Sequence, residues 1–378
     1  MDFGWSHAQQ AAYEDLRKNA ETQFEPVGAA DRLTERAVWH RLGRLGLLGL
    51  CVPARYGGGG LGALDTALRV EAFGRGCADT GLVFAASAHL FACAVPTAHH
   101  ADNAVKERIL PAMCRGELVA GNAMTEAGAG SDVSRLATTA VEAAGGWRLT
   151  GTKTFVTNGP VADVFVTYAT TDPAAGHLGV TAFLVDRDTP GLTVGPPLDK
   201  MGLASAPAAR VSFANCLVPA ERVLGVPGQG AAIFQHSMRW ERACLFAGYV
   251  GLLDRLLDRC LAHATSRRQF GRRIGQFQTV ANRIVDMKLR TESARLLLYR
   301  ACWEMDVDGG SELNVALSKL AVSEAAVAGA LDAVRLFGGE GYLRDAGIET
   351  TLRDAVPSTI FSGTSDVQRM LVARELGL

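Results

Sequence analysis

Three textures of apolar and polar positions follow one another along the chain. From about Ser6 to Leu118 the apolar residues recur at helical spacing, as in Leu64–Phe73 and Thr80–Val95, with Pro96 expected to close the second helix. From about Val119 to Val226 the pattern shortens into β-rich runs, Val164–Tyr168, Val180–Val185 and Val211–Phe213. Asn158-Gly159-Pro160, Asp172-Pro173 and Thr189-Pro190-Gly191 break them apart. Short strands at such intervals predict a small antiparallel barrel or sandwich. From about Gly228 helical spacing returns in longer segments. Val280, Ile284, Met287, Thr291, Ala294 and Leu298 alternate steps of three and four, as do Leu313, Ala316, Leu320, Ser323, Val327, Ala330 and Val334. Long helices with one narrow apolar seam predict a helix bundle. The expected fold class is therefore α+β multidomain: an α-helical domain over 1–118, a β-barrel domain over 119–226 and a helix-bundle domain over 227–378. No internal repeat interrupts that order.

Composition agrees with a folded, multidomain chain. A length of 378 residues exceeds one ordinary core, and 48% hydrophobic with 20% charged residues is a globular balance. The formal net charge of -1 gives no global reason to expect nucleic acid or an anionic membrane as partner. One stretch departs from this. Between Leu261 and Arg300 stand Arg267, Arg268, Arg272, Arg273, Arg283, Lys288, Arg290, Arg295 and Arg300, against Asp286 and Glu292. Such an excess suits a phosphate, an acidic partner or a solvated helix face. The 8 cysteines are scattered without a C-x-x-C pair, so neither a disulfide framework nor a metal site is expected. The start, MDFGWSHAQQ, lacks a basic and then apolar leader, and no apolar run reaches about 18 residues. A cytoplasmic enzyme with reduced thiols is expected.

Two glycine-rich stretches invite a ligand reading. Gly57, Gly59 and Gly62 match G-x-G-x-x-G, but no strand precedes them and no parallel-sheet pattern surrounds them, so a turn is expected. Met124-Thr-Glu-Ala-Gly-Ala-Gly-Ser-Asp132 is more specific. Gly128 and Gly130 allow close backbone approach, and Thr125 and Ser131 flank them with hydroxyls, so the loop suits a pyrophosphate or a ring edge; a polar turn between domains would look similar.

Thr125-Glu-Ala-Gly-Ala-Gly-Ser-Asp132 resembles the T-E-P-G-A-G-S-D signature of the acyl-CoA dehydrogenase family, with Ala127 in place of proline. Lys153-Thr-Phe-Val-Thr-Asn-Gly159, Arg267-Arg-Gln-Phe-Gly271 with Gln278, Gly338-Gly-Glu-Gly-Tyr342 and Phe361-Ser-Gly-Thr-Ser-Asp-Val-Gln-Arg369 resemble further family segments in the right order. The resemblance implies FAD as cofactor and a C-terminal four-helix bundle. It implies flavin contacts at Met124, Thr125, Gly130, Ser131, Phe155 and Thr157, with Ser131 also near substrate. It further implies that Arg267, with Phe270 and Gln278 beside it, reaches the cofactor from a second subunit, and that Gly338, Gly339, Thr364 and Asp366 lie near the cofactor. Shared sites imply an oligomer, by family analogy a homotetramer. Arg335 and Asp366 stand where relatives often carry glutamine.

The implied reaction removes a proton from Cα and a hydride from Cβ of an acyl thioester, and an exposed glutamate at about pKa 4.3 is a weak base for it. Many relatives place the carboxylate where this chain has Ser362. Glu241 offers a replacement: on a helix its neighbours Ser237, Met238, Cys244 and Leu245 are mostly apolar, though an ion pair with Arg239 or Arg242 is equally open to the residues alone. Isovaleryl-CoA and long-chain acyl-CoA dehydrogenases carry their base at the matching position, so the resemblance assigns the base to Glu241. It assigns Arg242, Ser362 and Gly363 to the substrate, the Ser362 N–H polarising the thioester carbonyl. Arg239-Trp-Glu-Arg242, Ala88-His-Leu-Phe91 and Phe361-Ser-Gly-Thr-Ser365 are similar to the branch that oxidises groups tethered to carrier proteins, including L-prolyl-carrier-protein dehydrogenases. A short or branched acyl-CoA of the isovaleryl type is the alternative substrate. The implied electron acceptor is an electron-transfer flavoprotein or oxygen.

Overall fold

Ser6 opens the first helix with a capping box: its hydroxyl accepts from Gln9 N at 3.2 Å, and the Gln9 side chain accepts from Ser6 N at 2.9 Å. The computed structural model describes residues 4–24 and 35–378. The first helical region comprises α1 (His7–Gln23), α2 (Arg36–Arg44), α3 (Ala63–Gly76), α4 (Thr80–His89), α5 (Val95–His100) and α6 (Asn103–Arg115). Pro96 does not close the helix begun at Thr80. A π turn over Leu90–Ala94 joins α4 to α5, and Pro96 lies in the first turn of α5, directly after that wider turn. The resulting run Thr80–His100 has the length and hydropathy of a membrane span (21 residues, mean hydropathy 1.6), yet its most apolar stretch is buried within the fold. The Gly57–Gly62 stretch is the expected turn. Its backbone pairs with residues 49–52, and Gly62 leads into α3, whose first N–H groups are taken by the Asp306 carboxylate at 2.5 and 3.0 Å.

The middle region holds β1 (Ala120–Ala123), β2 (Thr139–Ala143), β3 (Gly146–Thr157), β4 (Val164–Thr170), β5 (Val180–Asp186), β6 (Leu192–Val194), β7 (Ala208–Pro219) and β8 (Val223–Leu224). They form one sheet in the order β6-β7-β3-β2-β4-β5-β8, with β1 attached to β4. The expectation of an antiparallel barrel needs correction. β1 and β2 each pair with β4 in parallel, and the strand path has two ends, β6 and β8. Strand β4 explains why its sequence reads as a continuous apolar run. Val164, Val166 and Tyr168 face a core shared with the helices, while Phe165 and Ala169 face a second core with Phe183, Val211 and Phe213.

The last region contains α7 (Gly230–Trp240), a π turn (Glu241–Leu245), α8 (Ala247–Ser266), the short hairpin β9 (Arg268–Gln269) and β10 (Arg272–Arg273), and α9 (Gln278–Val307). It continues with α10 (Glu312–Phe337), α11 (Gly339–Tyr342), α12 (Ile348–Ala355) and α13 (Ser365–Glu375). Helices α8, α9 and α10 pack on one another and α13 packs on α10, while α3 lies along α8. The α9 seam is buried at Met287, Thr291, Ala294 and Leu298 as its spacing predicts. The α10 seam is met in part. Ala316, Ser323 and Ala330 are buried as its spacing predicts, while Leu313, Leu320, Val327 and Val334 are only half-buried and Ser318, Ala326 and Gly329 are buried as well, because small residues let neighbouring helices approach a central one on several sides.

Candidate active site

The two π turns pack against each other. Each inserts a wider turn into an otherwise α-helical run, which re-aims the side chains it carries; such bulges recur at functional positions. Glu241 is the first residue of one of them and is 7% exposed. Its hydrogen-bond partner is the Ser362 hydroxyl, 121 positions away in the chain. Among the described residues it forms no ion pair with Arg239 or Arg242. Arg239 turns instead to Glu312, at 2.9 Å, and to the Gly309 carbonyl, at 2.8 Å. Arg242 is buried and donates from Nε to the Ser362 carbonyl at 2.9 Å. Burial pushes the Glu241 carboxyl above the usual carboxylate range, against the downward pull of the Ser362 hydrogen bond and the Arg242 charge. Around it lie apolar and weakly polar groups. Phe361 packs on Phe84 at 4.5 Å and on Phe246 at 5.4 Å, and Cys93 from the other π turn lies near enough for Glu241 to help hold its thiol protonated.

Ser362 and Gly363 have unusual backbone conformations, with φ of 55° and 88°. A side chain at Gly363 would meet Gln368 Nε2 at 2.7 Å in a conformation that L residues avoid, so glycine is required there. The bend is held from below. Buried Gln368 donates Nε2 to the Ser362 and Gly363 carbonyls at 3.4 and 3.1 Å, and Thr364 caps α13 by accepting from Val367 N at 3.2 Å. Neither the Ser362 nor the Gly363 N–H is engaged by another group among the described residues. Gln368 escaped the sequence reading although it lies inside the last motif; its only signal was membership of that motif.

The glycine-rich loop is anchored by a second buried glutamate. Glu126, also 7% exposed, accepts from Lys153 Nζ at 2.7 Å and from the Ala137 and Thr138 N–H groups at 2.6 and 3.0 Å. Lys153 also donates to the Met124 carbonyl at 3.0 Å, and Thr154 N to the Thr125 carbonyl at 2.8 Å, so loop and strand β3 are sewn together. Burial lowers the Lys153 pKa to about 8 while Glu126 pulls it up; burial also works against the Glu126 charge, but its bonds to Lys153 and the loop hold it below the usual range. Neither Glu126 nor Lys153 was among the expected site residues, although both lie within the quoted motifs. Above this anchor Gly130 and Ser131 are exposed, Thr125 and Thr157 are half-buried, and Met124 is buried. Space is open where a side chain on Gly128 or Gly130 would stand. A β-bulge between Lys153 and Val156 turns Phe155 outward at φ 54°, leaving its ring 67% exposed.

The remaining expected residues gather elsewhere. Phe270 and Gly271, both at positive φ, make the turn of the β9–β10 hairpin, and the Phe270 ring is 91% exposed. Arg267, Gln278, Gly338 and Gly339 are exposed as well, and the Gly338 and Gly339 backbones have open space around them. The basic stretch divides in two. Arg283, Lys288, Arg290, Arg295 and Arg300 each pair with a carboxylate, whereas Arg267, Arg268, Arg272 and Arg273 on and beside the hairpin have none among the described residues. Asp366 points outward beside Arg369. The structure therefore brings Glu241, Arg242, Ser362 and Gly363 into one group and Met124, Thr125, Gly130, Ser131, Phe155 and Thr157 into another, linked through α4, where Asn158 Nδ2 donates to the Ala85 carbonyl at 3.0 Å beside Phe84. No described hydrogen bond or ring contact joins the Arg267–Phe270–Gly338 group to either.

Helices, sheet and helices in this order, with a buried carboxylate at the seam between them, define a flavoprotein-type dehydrogenase fold, and the chain belongs to the acyl-CoA dehydrogenase family. Family models for its N-terminal, middle and C-terminal domains match residues 6–117, 121–216 and 228–377. Within the family the chain is similar to an L-prolyl-[peptidyl-carrier protein] dehydrogenase of Pseudomonas fluorescens, at 51% identity over 100% of both chains. It is also similar to the solved structure of PigA with FAD and proline, at TM-score 0.96 and 42% identity over 100% of both chains. The crystal structure of the prolyl acyl carrier protein oxidase AnaB gives a TM-score of 0.95 at 40% identity, covering 99% of this chain and 100% of that one.

Proposed function

We propose that the protein catalyses FAD-dependent α,β-dehydrogenation of an acyl or aminoacyl thioester, with an L-prolyl group tethered to a carrier protein as substrate. The names of its relatives support the substrate, and Glu241 carries the chemistry. Its carboxyl is nearly sealed from water and, among the described residues, has one hydroxyl for a partner and no salt-bridged cation. Such a group is a stronger base than a solvated glutamate and can take the Cα proton. The unengaged N–H groups of Ser362 and Gly363 are suited to the thioester oxygen, where negative charge gathers as that proton leaves. Arg242 fixes the Ser362 carbonyl and thereby the direction of the Gly363 N–H in the same peptide plane.

The residues present fit FAD. The outward Phe155 ring and the open Gly130 and Ser131 backbone offer a face and an edge, held by Met124, Thr125 and Thr157. Arg267, Phe270, Gln278, Gly338 and Gly339 offer an exposed cation, a ring and open backbone, and Thr364 and Asp366 stand at the start of α13 beside Gly363. Their separation within one chain supports a cofactor site completed by a second copy in a homotetramer. The exposed α9 residues Val285, Leu289, Leu296 and Val307 supply an apolar face for such packing. Bound FAD supplies the acceptor for the hydride that leaves Cβ. Among the described residues the buried thiols of Cys93, Cys114, Cys216, Cys244, Cys260 and Cys302 form no disulfide, which suits a cytoplasmic enzyme.

An anaerobic flavin-bleaching screen tests the reading. Prolyl-loaded carrier protein should bleach the bound flavin faster than acyl-CoAs or aliphatic acyl-loaded carrier. Bleaching by isovaleryl-CoA alone would move the substrate to the acyl-CoA class, and no bleaching by any thioester would overturn the reaction. Reoxidation by air, compared with reoxidation by an electron-transfer flavoprotein, identifies the acceptor.

A further inference from the structure

Glu241 keeps a lone hydroxyl partner although an arginine follows it directly and another stands two residues before it. The reason lies in the first turn of α10. Glu312 accepts from Arg239 Nε and Nη2 at 3.2 and 2.9 Å, and its other oxygen lies 3.9 Å from Arg242 Nη1. Glu312 stands in the first turn of this 26-residue helix. We propose that Glu312 is a positioning residue for the base: by bridging Arg239 and Arg242 it holds the Arg242 guanidinium on the Ser362 carbonyl and takes up its charge, so that Glu241 is not neutralised by it.

The other groups facing this network agree with that role. On α10 the buried Lys319 amine lies 5.4 Å over the Phe246 ring without a hydrogen-bond partner, and burial together with Arg242 lowers its pKa to about 8. Among the described residues Glu312 is the carboxylate that pairs with the Arg242 guanidinium. On the Glu241 side the neighbours are the Cys93 thiol, the Tyr168 phenol and the Ser362 hydroxyl; burial holds the thiol and the phenol protonated, so neither can replace Glu312 as counter-charge.

The inference rests on Glu241 being the base, and its test reads that carboxyl directly. Infrared difference titration of the FAD-loaded enzyme follows the protonated carboxyl band that disappears in Glu241→Gln. In Glu312→Gln, Arg242 loses its counter-charge, and the Glu241 midpoint should fall by about one pH unit. The pH profile of flavin reduction should shift with it, the plateau rate should drop about threefold as the base weakens, and KM should change less. In Arg239→Gln, Glu312 is freed for Arg242, and the midpoint should rise. Glu312→Asp should restore part of the wild-type value. A midpoint unmoved in Glu312→Gln at normal FAD content overturns the proposal. Should Glu312→Gln fail to fold, a midpoint in Arg239→Gln that does not rise overturns it equally. Turnover that survives Glu241→Gln would instead break the base assignment, a distinguishable result.

Discussion

Glu126 and Glu241 are buried to the same degree, yet they behave as opposites. Glu126 sits on a lysine and two backbone N–H groups and is held charged; Glu241 has a single hydroxyl and is pushed toward its neutral form. Burial alone therefore does not make a base. The partners decide, because a carboxylate that accepts several charged or backbone donors is stabilised as an anion, while one facing apolar side chains is not. The first arrangement ties a loop to a strand; the second leaves a carboxylate whose proton affinity is available to a substrate.

The sharpest way to break this contrast is to neutralise each member. Glu241→Gln should lower substrate-dependent flavin reduction by about 10³-fold while leaving FAD bound and the unfolding midpoint unchanged or raised, since an unfavourable buried charge is removed. Stopped-flow absorbance and a thermal melt read both quantities. Equal losses of stability and activity would show that Glu241 is a structural residue like Glu126.

Lys153→Met is the reciprocal case and should act on stability. It leaves the Glu126 carboxylate buried without its cation, which costs about 3 to 5 kcal/mol, and it frees the Met124 carbonyl that holds the glycine-rich loop. Early melting with loss of flavin is expected. A normal melt would mean that the two N–H groups suffice to hold Glu126.

Much of this contrast was legible in the chain. The motifs located the loop, the strand and the last turn, and the spacing of apolar residues located the long helices. The choice of Glu241 over an ion pair came from family resemblance, since residues 121 positions apart do not announce a hydrogen bond. The π turns have no compositional signature, because their wider hydrogen-bond register depends on packing between α4, α5 and α7; that is why Pro96 read as a helix end. The burial of α10 beyond its predicted seam, at Ser318, Ala326 and Gly329, was missed because small residues carry little periodic signal. Glu312 was invisible for a similar reason, its meaning lying in two arginines about seventy positions earlier.

The pH dependence of stability separates the two glutamates in sign. The raised carboxyl of Glu241 contributes stability at pH below its unfolded value, and that contribution is lost as pH rises through the folded one. The lowered carboxyl of Glu126 contributes stability above its unfolded pKa, lost as pH falls through the folded one. The unfolding midpoint of Glu241→Gln relative to wild type should therefore climb with rising pH, whereas that of Glu126→Gln should fall further behind. Parallel curves would remove the distinction drawn between them.

The smallest expected effect probes the hydroxyl itself. Ser362→Ala removes the hydrogen bond that helps keep Glu241 ionised, but it leaves the backbone N–H groups and the Arg242 bond to the Ser362 carbonyl in place. The Glu241 carboxyl should rise further, so the acid limb of the flavin-reduction profile should move upward by no more than about one unit. Above that limb the rate should stay within about threefold of wild type, because a stronger base offsets a looser one. A collapse of the plateau rate would mean that the hydroxyl orients the carboxylate as well as tuning it. Glu241 would then resemble Glu126 after all, as a group whose geometry is imposed by its donor.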